Sequence, residues 1–299
     1  MDTESEFLKQ FKPPPFTPPK DAEIFKDIQY STLGHIRQRL DLYLPLPRPQ
    51  GSMPLLVYIH GGAFMFGSKE SPLMPARLLP KGYALASLDY RLSGDAPFPA
   101  SLEDCKSAVR WLRAHAAEYG LDADRFVAIG ESAGGHQASM LGVTSFSDGF
   151  DVGDHLGVSS AVQGVVPYYG PSDFLQMDAN APQDGKSMKH DPPGSPESLY
   201  IGAPDGIQSV PEKVALANPI TYISAGKKLP PFFIAHGVDD HIVPYHQSIL
   251  LDEALKKAGF SVTLHPVEGT DHVFLGSTKE QSDELDRKTD EFLVSVFGS

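Results

Sequence analysis

The stretch FVAIGESAGGHQASMLGV, residues 126–143, constrains the fold more than any other part of the chain. A short apolar run enters a Gly-x-Ser-x-Gly turn and leaves as a helix of small residues. A strand that feeds straight into a helix leaves the connecting residue in a strained turn, and the flanking Gly130 and Gly134 let neighbouring backbone approach without a Cβ clash. Ser132 then stands at the strand's carboxyl end, near a helix N-terminus. Three fixed positions in five recur by chance, so the pattern alone reads equally as a nucleophile or as a small residue that fits a tight turn. A serine hydroxyl is in any case a poor nucleophile until a base takes its proton.

The rest of the chain repeats the same alternation. IFKDIQYST and IRQRLDLYLP read as an antiparallel pair at one sheet edge, with apolar residues at roughly every second position. MPLLVYIH, GYALASLDYR, FVAIG, AVQGVVPYYG, PPFFIAHG and SVTLHPVE read as strands. Helical periodicity covers 99–119, a region near 245–259 and a terminal segment from about 279 to 297. Alternation of this kind predicts an α/β fold with a mainly parallel central sheet and helices on both faces. Residues 171–222 break it, being rich in Pro, Gly, Ser and Asp without a sustained period, and are expected to form a partial cap or lid. Residues 1–23, with the run PPPFTPPK, are expected to be an extended arm, and 24–299 one domain.

With 299 residues, 41% hydrophobic and 21% charged, the chain can bury one sizeable α/β core, which excludes the disordered and membrane classes. No apolar run reaches the roughly 18 to 20 residues that span a bilayer, and the N-terminus lacks a basic and an apolar leader region, so the expectation is a cytoplasmic protein without a membrane span. A net charge of −13 argues against nucleic acid as a partner. Cys105, alone in its type, reads as a buried small apolar residue. The sequence sets no oligomeric state, and a dimer is compatible with it.

Activating Ser132 needs an imidazole and a carboxylate. Asp239 and Asp240 lie in AHGVDDHIVPYH after the apolar strand PPFFIAHG, and His272 lies in EGTDHVF after the next strand. The order serine, acid, histidine is that of the α/β-hydrolase fold and of no other known serine triad. Eleven histidines make a chance candidate easy to find. His236, His241 and His246 cluster around the acid loop, but their spacing fits neither a helix face nor a ligand pair, and no metal or other cofactor is expected. YIHGGAFMFG, residues 58–67, supplies an oxyanion loop, with the N–H groups of Gly62, Ala63 and Ala133 as donors and His60 shaping the loop. Glu131 and His136 read as structural. Phe64, Phe66, Tyr168, Tyr169 and Phe174 fall in loops near the site, where they would line a wall for substrate or pack the insertion onto the core.

HGGAF at 60–64, DYRL at 89–92, GESAGG at 130–135, HGVDDHIVP at 236–244 and GTDHVF at 269–274 resemble α/β-hydrolase serine esterases of the hormone-sensitive-lipase-like group. They resemble most the branch with feruloyl and acetyl-xylan esterases and kynurenine formamidase. The resemblance runs from about residue 24 to 297. It implies a Ser132–His272–Asp240 triad, its H-G-x-x-D pattern choosing Asp240 over Asp239, and a carboxylesterase acting on small, short-acyl or aryl esters. It leaves open amide hydrolysis of the arylformamidase type, a feruloyl or acetyl-xylan role, and a non-catalytic binding member of the fold. Ala63 stands where lipase-like relatives carry a third glycine, which keeps the N–H and implies a narrower acyl pocket.

Overall fold

The computed structural model describes residues 16–70, 73–146 and 149–298. Most of the proline-rich arm expected at the N-terminus lies outside the described residues. Phe16 sets its ring edge-on against Tyr43, 6.1 Å away.

Among the described residues eight strands form one sheet: β1 (Ala22–Gln29), β2 (Arg39–Pro45), β3 (Met53–Ile59), β4 (Ala84–Leu88), β5 (Leu121–Glu131), β6 (Gly164–Tyr168), β7 (Phe232–Gly237) and β8 (Val262–Val267). Their spatial order is β1-β2-β4-β3-β5-β6-β7-β8. β1 pairs antiparallel with β2, and β2 with β4, as the alternation at that edge predicts, and every later pairing is parallel. This is the α/β-hydrolase arrangement.

The pleat divides the core. In β3, Leu55, Val57 and Ile59 join the cluster on one face, and Leu56 and Tyr58 join the other. The first face is covered by α1 (Ala100–Ala114), α2 (Ala133–Val143) and part of α5 (His246–Lys257), the second by α6 (Lys279–Phe297). Every residue of α2 is buried, which is why its sequence shows small residues without a polar stripe. Cys105 is buried on α1 as a free thiol. Thr278 caps α6 through a capping box with Gln281.

Residues 171–222 link β6 to β7. They fold into short helical turns, among them α3 (Pro196–Ile201) and α4 (Pro211–Ala217), each with a proline in its first turn. Phe174, Met177, Tyr200, Ile201 and Val214 drop into the core cluster shared with α2. Among the described residues no helix is long and apolar enough to cross a membrane.

Parallel pairing fixes where the loops leave. Ile59 pairs with Gly130, Glu131 with Tyr168, Tyr168 with Ala235, and Gly237 with Val267. The segments after β3, β5, β6, β7 and β8 therefore emerge side by side at one end of the sheet.

Candidate active site

Ser132 joins β5 to α2 with φ 55° and ψ −122°, a left-handed conformation that a side chain rarely adopts. Packing holds it there. Its N–H donates to the Tyr168 carbonyl at 2.9 Å, and its carbonyl accepts from the His136 N–H at 3.0 Å. A Cβ on Gly130 would fall 2.2 Å from the Gly134 carbonyl oxygen, and one on Gly134 would fall 2.0 Å from that of Ile59. Only glycines let the turn sit this close to β3.

His272 lies in the turn after β8. Its Nε2 is 3.0 Å from the Ser132 Oγ, and its Nδ1 is 2.7 Å from the Asp240 Oδ2. Asp240 is fully buried in the loop after β7, and its Oδ1 accepts the N–H groups of Ile242 and Val243, both at 2.8 Å. Burial pushes its carboxyl up, but His272 and His236 outweigh that and hold it well below the usual carboxylate range. Asp239 is exposed and gives only its N–H to the Thr270 carbonyl. The structure thus brings Ser132, His272 and Asp240 into one hydrogen-bonded line, with Nδ1–H toward the acid and Nε2 toward the hydroxyl.

The loop after β3 lies against this turn. A Cβ on Gly61 would come within 3.3 Å of the Ser132 Cβ. Gly62 has φ 117°, and its carbonyl accepts the N–H groups of Met65 and Phe66 in a tight turn. Ala63 and Phe64 also have positive φ, 51° and 63°. Ala133 opens α2, so its N–H has no carbonyl four residues back to bind. His60 stacks on Tyr90 at 4.5 Å with its Nδ1 on the Gly61 carbonyl, and shapes the loop as expected.

The aromatic residues divide. Phe64 is buried, stacked on Tyr200 at 4.0 Å and edge-on to His136, because its left-handed backbone turns the ring into the core. Phe174 is buried in the same cluster. Tyr168 is buried on the other face, its hydroxyl 2.6 Å from the Thr289 Oγ1 of α6. Tyr169 is buried too, its hydroxyl on Glu131 and its ring edge-on to His272 at 4.9 Å. Phe66 stays half-buried beside Gly62.

Several partners have no signature in the sequence. The Glu131 carboxylate receives the hydroxyls of both Tyr58 and Tyr169. His241 binds the Asp271 Oδ2 through Nδ1 at 2.8 Å and the Asp184 Oδ2 through Nε2 at 2.9 Å, and these carboxylates, Asp184 first, raise its pKa. Asp271 also accepts the His272 backbone N–H at 2.7 Å, so it braces His272 from the adjacent position. His136 gives Nδ1–H to the Pro171 carbonyl, and burial pushes its pKa down to about 4. Among the described residues no group of three or more His, Cys, Asp or Glu side chains is placed to hold a metal ion.

Similarity to known proteins follows the same geometry. Over 291 aligned residues the chain is 32% identical to the probable carboxylic ester hydrolase LipM of Mycobacterium tuberculosis, covering 91% of this chain and 61% of that protein. The chain spans about six tenths of the length of LipM and of the esterase LipQ of the same organism. A truncated carbohydrate esterase from gut microbiota superposes with a TM-score of 0.79 at 28% identity, covering 92% of this chain and 99% of that one. A bifunctional GH43-CE protein of Bacteroides eggerthii gives 0.77 at 32% identity, over 90% of this chain and 35% of that one. The BD-FAE family model matches residues 40–255, a stretch that holds Ser132 and Asp240 and stops short of His272. With well over half of its residues matched, the chain belongs to the BD-FAE family.

Proposed function

We propose that this protein is a serine carboxylesterase acting on small esters with short acyl or aryl groups. The observation that carries the reading is the line from the Ser132 hydroxyl through His272 to the buried Asp240, with contacts of 3.0 and 2.7 Å. His272 Nε2 takes the hydroxyl proton as Ser132 Oγ attacks the ester carbonyl, and Asp240 keeps the imidazole in the Nδ1–H tautomer. The N–H groups of Gly62, Ala63 and Ala133 are the donors for the oxyanion, each of the kind worth about 10² to 10³ in rate. Collapse expels the alcohol, which takes its proton from His272, and water cleaves the acyl-enzyme by the same route in reverse.

Residues 171–222 act as a partial cap. Its support is the pair of links from this segment to the site loops: Asp184 on His241, and Tyr200 stacked on Phe64 of the oxyanion loop. A second reading within the same chemistry has its own support, since two structural neighbours carry carbohydrate-esterase names: the acyl group is acetyl or feruloyl and the alcohol a sugar.

The test is a series of p-nitrophenyl esters from acetate to decanoate, with methyl ferulate and acetylated xylan alongside, on the wild type and Ser132→Ala. The expected result is a kcat/KM that falls as the acyl chain lengthens and drops by about 10⁴-fold or more without the hydroxyl. Unchanged turnover in Ser132→Ala would remove the esterase reading, and a flat chain-length profile would remove the preference for short acyl groups. Release of acetate from xylan faster than from p-nitrophenyl acetate would select the sugar-ester form.

A further inference from the structure

The acid of the proposed triad carries a second imidazole. His236, near the end of β7, is fully buried, and its Nε2 lies 3.1 Å from the Asp240 Oδ2 and 2.8 Å from the Val243 carbonyl. That carboxylate oxygen is the one that receives the His272 Nδ1–H at 2.7 Å. On its far side the His236 ring meets the Ser248 Oγ of α5 at 2.7 Å, and Ser248 is buried as well. The mechanism proposed above uses neither residue.

Hydrogen placement follows from the partners. Nε2 faces two acceptors and so carries the hydrogen, which leaves Nδ1 of the neutral ring to accept the Ser248 O–H. Asp240 then takes two amide N–H groups on Oδ1 and two imidazole N–H groups on Oδ2. With all four donors in place the carboxylate cannot turn about its Cβ–Cγ bond without breaking one of them. An imidazole is an expensive way to fill apolar space, since each buried nitrogen must find a partner. Here each one has a partner.

We propose that His236, set by Ser248, is a positioning residue that aims Asp240 at His272, so that the site is a five-membered chain, Ser132–His272–Asp240–His236–Ser248, in which Ser132 and His272 meet substrate and the other three do not. The inference rests on the reading of Ser132, His272 and Asp240 as a working triad. No proton crosses the second arm. The Ser132 proton goes to His272 Nε2 and on to the leaving group, while His236 keeps its own hydrogen and Asp240 stays an anion. The second donor on Oδ2 opposes protonation of a carboxyl that burial alone would push up. Among the described residues the titratable groups facing Asp240 are His272 and His236; the neighbouring His241 turns its ring to Asp271 and Asp184, and the rings of Tyr169 and Tyr245 close around His236.

Three variants test it: His236→Phe, which keeps a ring and loses both nitrogens, His236→Asn, which keeps a donor, and Ser248→Ala. Losing a hydrogen bond to a charged group predicts a fall of about ten- to a hundredfold in kcat for His236→Phe, with KM nearly unchanged and the acid limb of kcat/KM moved to higher pH. His236→Asn should recover part of both, and Ser248→Ala should show a smaller loss of the same kind. The downfield proton resonance of His272 Nδ1–H should shift in each while the melting temperature stays within a few degrees. A folded His236→Phe with wild-type kcat and pH profile would overturn the proposal. If that variant does not fold, Ser248→Ala decides, and an unmoved resonance with an unmoved acid limb overturns it. Ser132→Ala separates the two claims: activity that survives there removes the triad itself, whereas activity lost there and intact in the His236 and Ser248 variants removes only the second arm.

Discussion

The loops after β5, β7 and β8 hold their side chains by backbone geometry, whereas residues 171–222 are held by side chains packed on α2. In the loops, Ser132 sits at φ 55°, Val273 and Phe274 at 56° and 58°, and two consecutive amides grip Asp240. In the insertion the helices have seven residues or fewer, and order comes from Phe174 and Tyr200 gathered around His136, and from Gln247 of α5, whose Oε1 accepts the N–H groups of Ser172 and Asp173. A segment without periodicity can be as fixed as a helix when each of its turns places one side chain in a shared core. Strain concentrates where chemistry is proposed, and packing where support is needed.

If that division is right, changes in the two regions should separate activity from stability. The largest effect is expected in Asp240→Asn, which keeps the shape and reverses the preferred tautomer of His272. A loss of about 10⁴ in kcat is expected, measured by steady-state kinetics, with the fold retained. The pH dependence has a sign. The folded carboxyl titrates below its unfolded value, so its stabilising effect is full above about pH 4 and fades as pH falls further. The gap in melting temperature between wild type and Asp240→Asn should narrow below that pH. Next in size, Tyr200→Ala empties a buried ring site and should cost about 3 to 5 kcal/mol in chemical denaturation, with kcat changed far less than in Asp240→Asn. A Tyr200→Ala protein of normal stability and lost kcat would place the insertion within the catalytic machinery.

His136 joins the two regions, and its titration tests the junction. It is buried, bonded to the Pro171 carbonyl and held to a pKa of about 4, while the unfolded chain protonates near about 6.5. Between those values the unfolded state binds more protons, so stability should fall as pH drops through that window. Melting curves in the His136→Gln variant should lose much of that slope. An equal slope in both would mean that the acid sensitivity arises elsewhere.

The alternation of short apolar runs and helical periods was sufficient to read all eight strands and the antiparallel edge, because a parallel sheet buried on both faces leaves continuous apolar runs. The positions of Ser132, His272 and the pair Asp239–Asp240 were legible for a related reason, since each follows such a run and the register of the sheet brings strand ends together, whereas the choice of Asp240 over Asp239 came from the family resemblance. What pairs with them was not. Tyr58 and Tyr169 on Glu131, Asp184 on His241 and Ser248 on His236 join residues between 12 and 73 positions apart, and no period or turn signal records such pairs. The fate of Phe64 was hidden likewise, since the direction of a ring in a glycine loop depends on a φ that the sequence does not display.

The smallest expected effect concerns Ala63, in the loop after β3, next to the Phe64 ring on which Tyr200 of the insertion stacks. Its φ of 51° costs an alanine about 1 kcal/mol, which glycine would relieve, but glycine also raises the entropy of the unfolded chain by a similar amount. Ala63→Gly should therefore leave stability within about 0.5 kcal/mol of wild type. The N–H is kept, so turnover of p-nitrophenyl acetate should stay within about threefold, a shift of under about 0.7 kcal/mol in the barrier. What should move is selectivity. If the Ala63 methyl narrows the acyl space, methyl ferulate should gain on acetate in kcat/KM when it is removed. An unchanged ratio would mean that this methyl faces away from the acyl group.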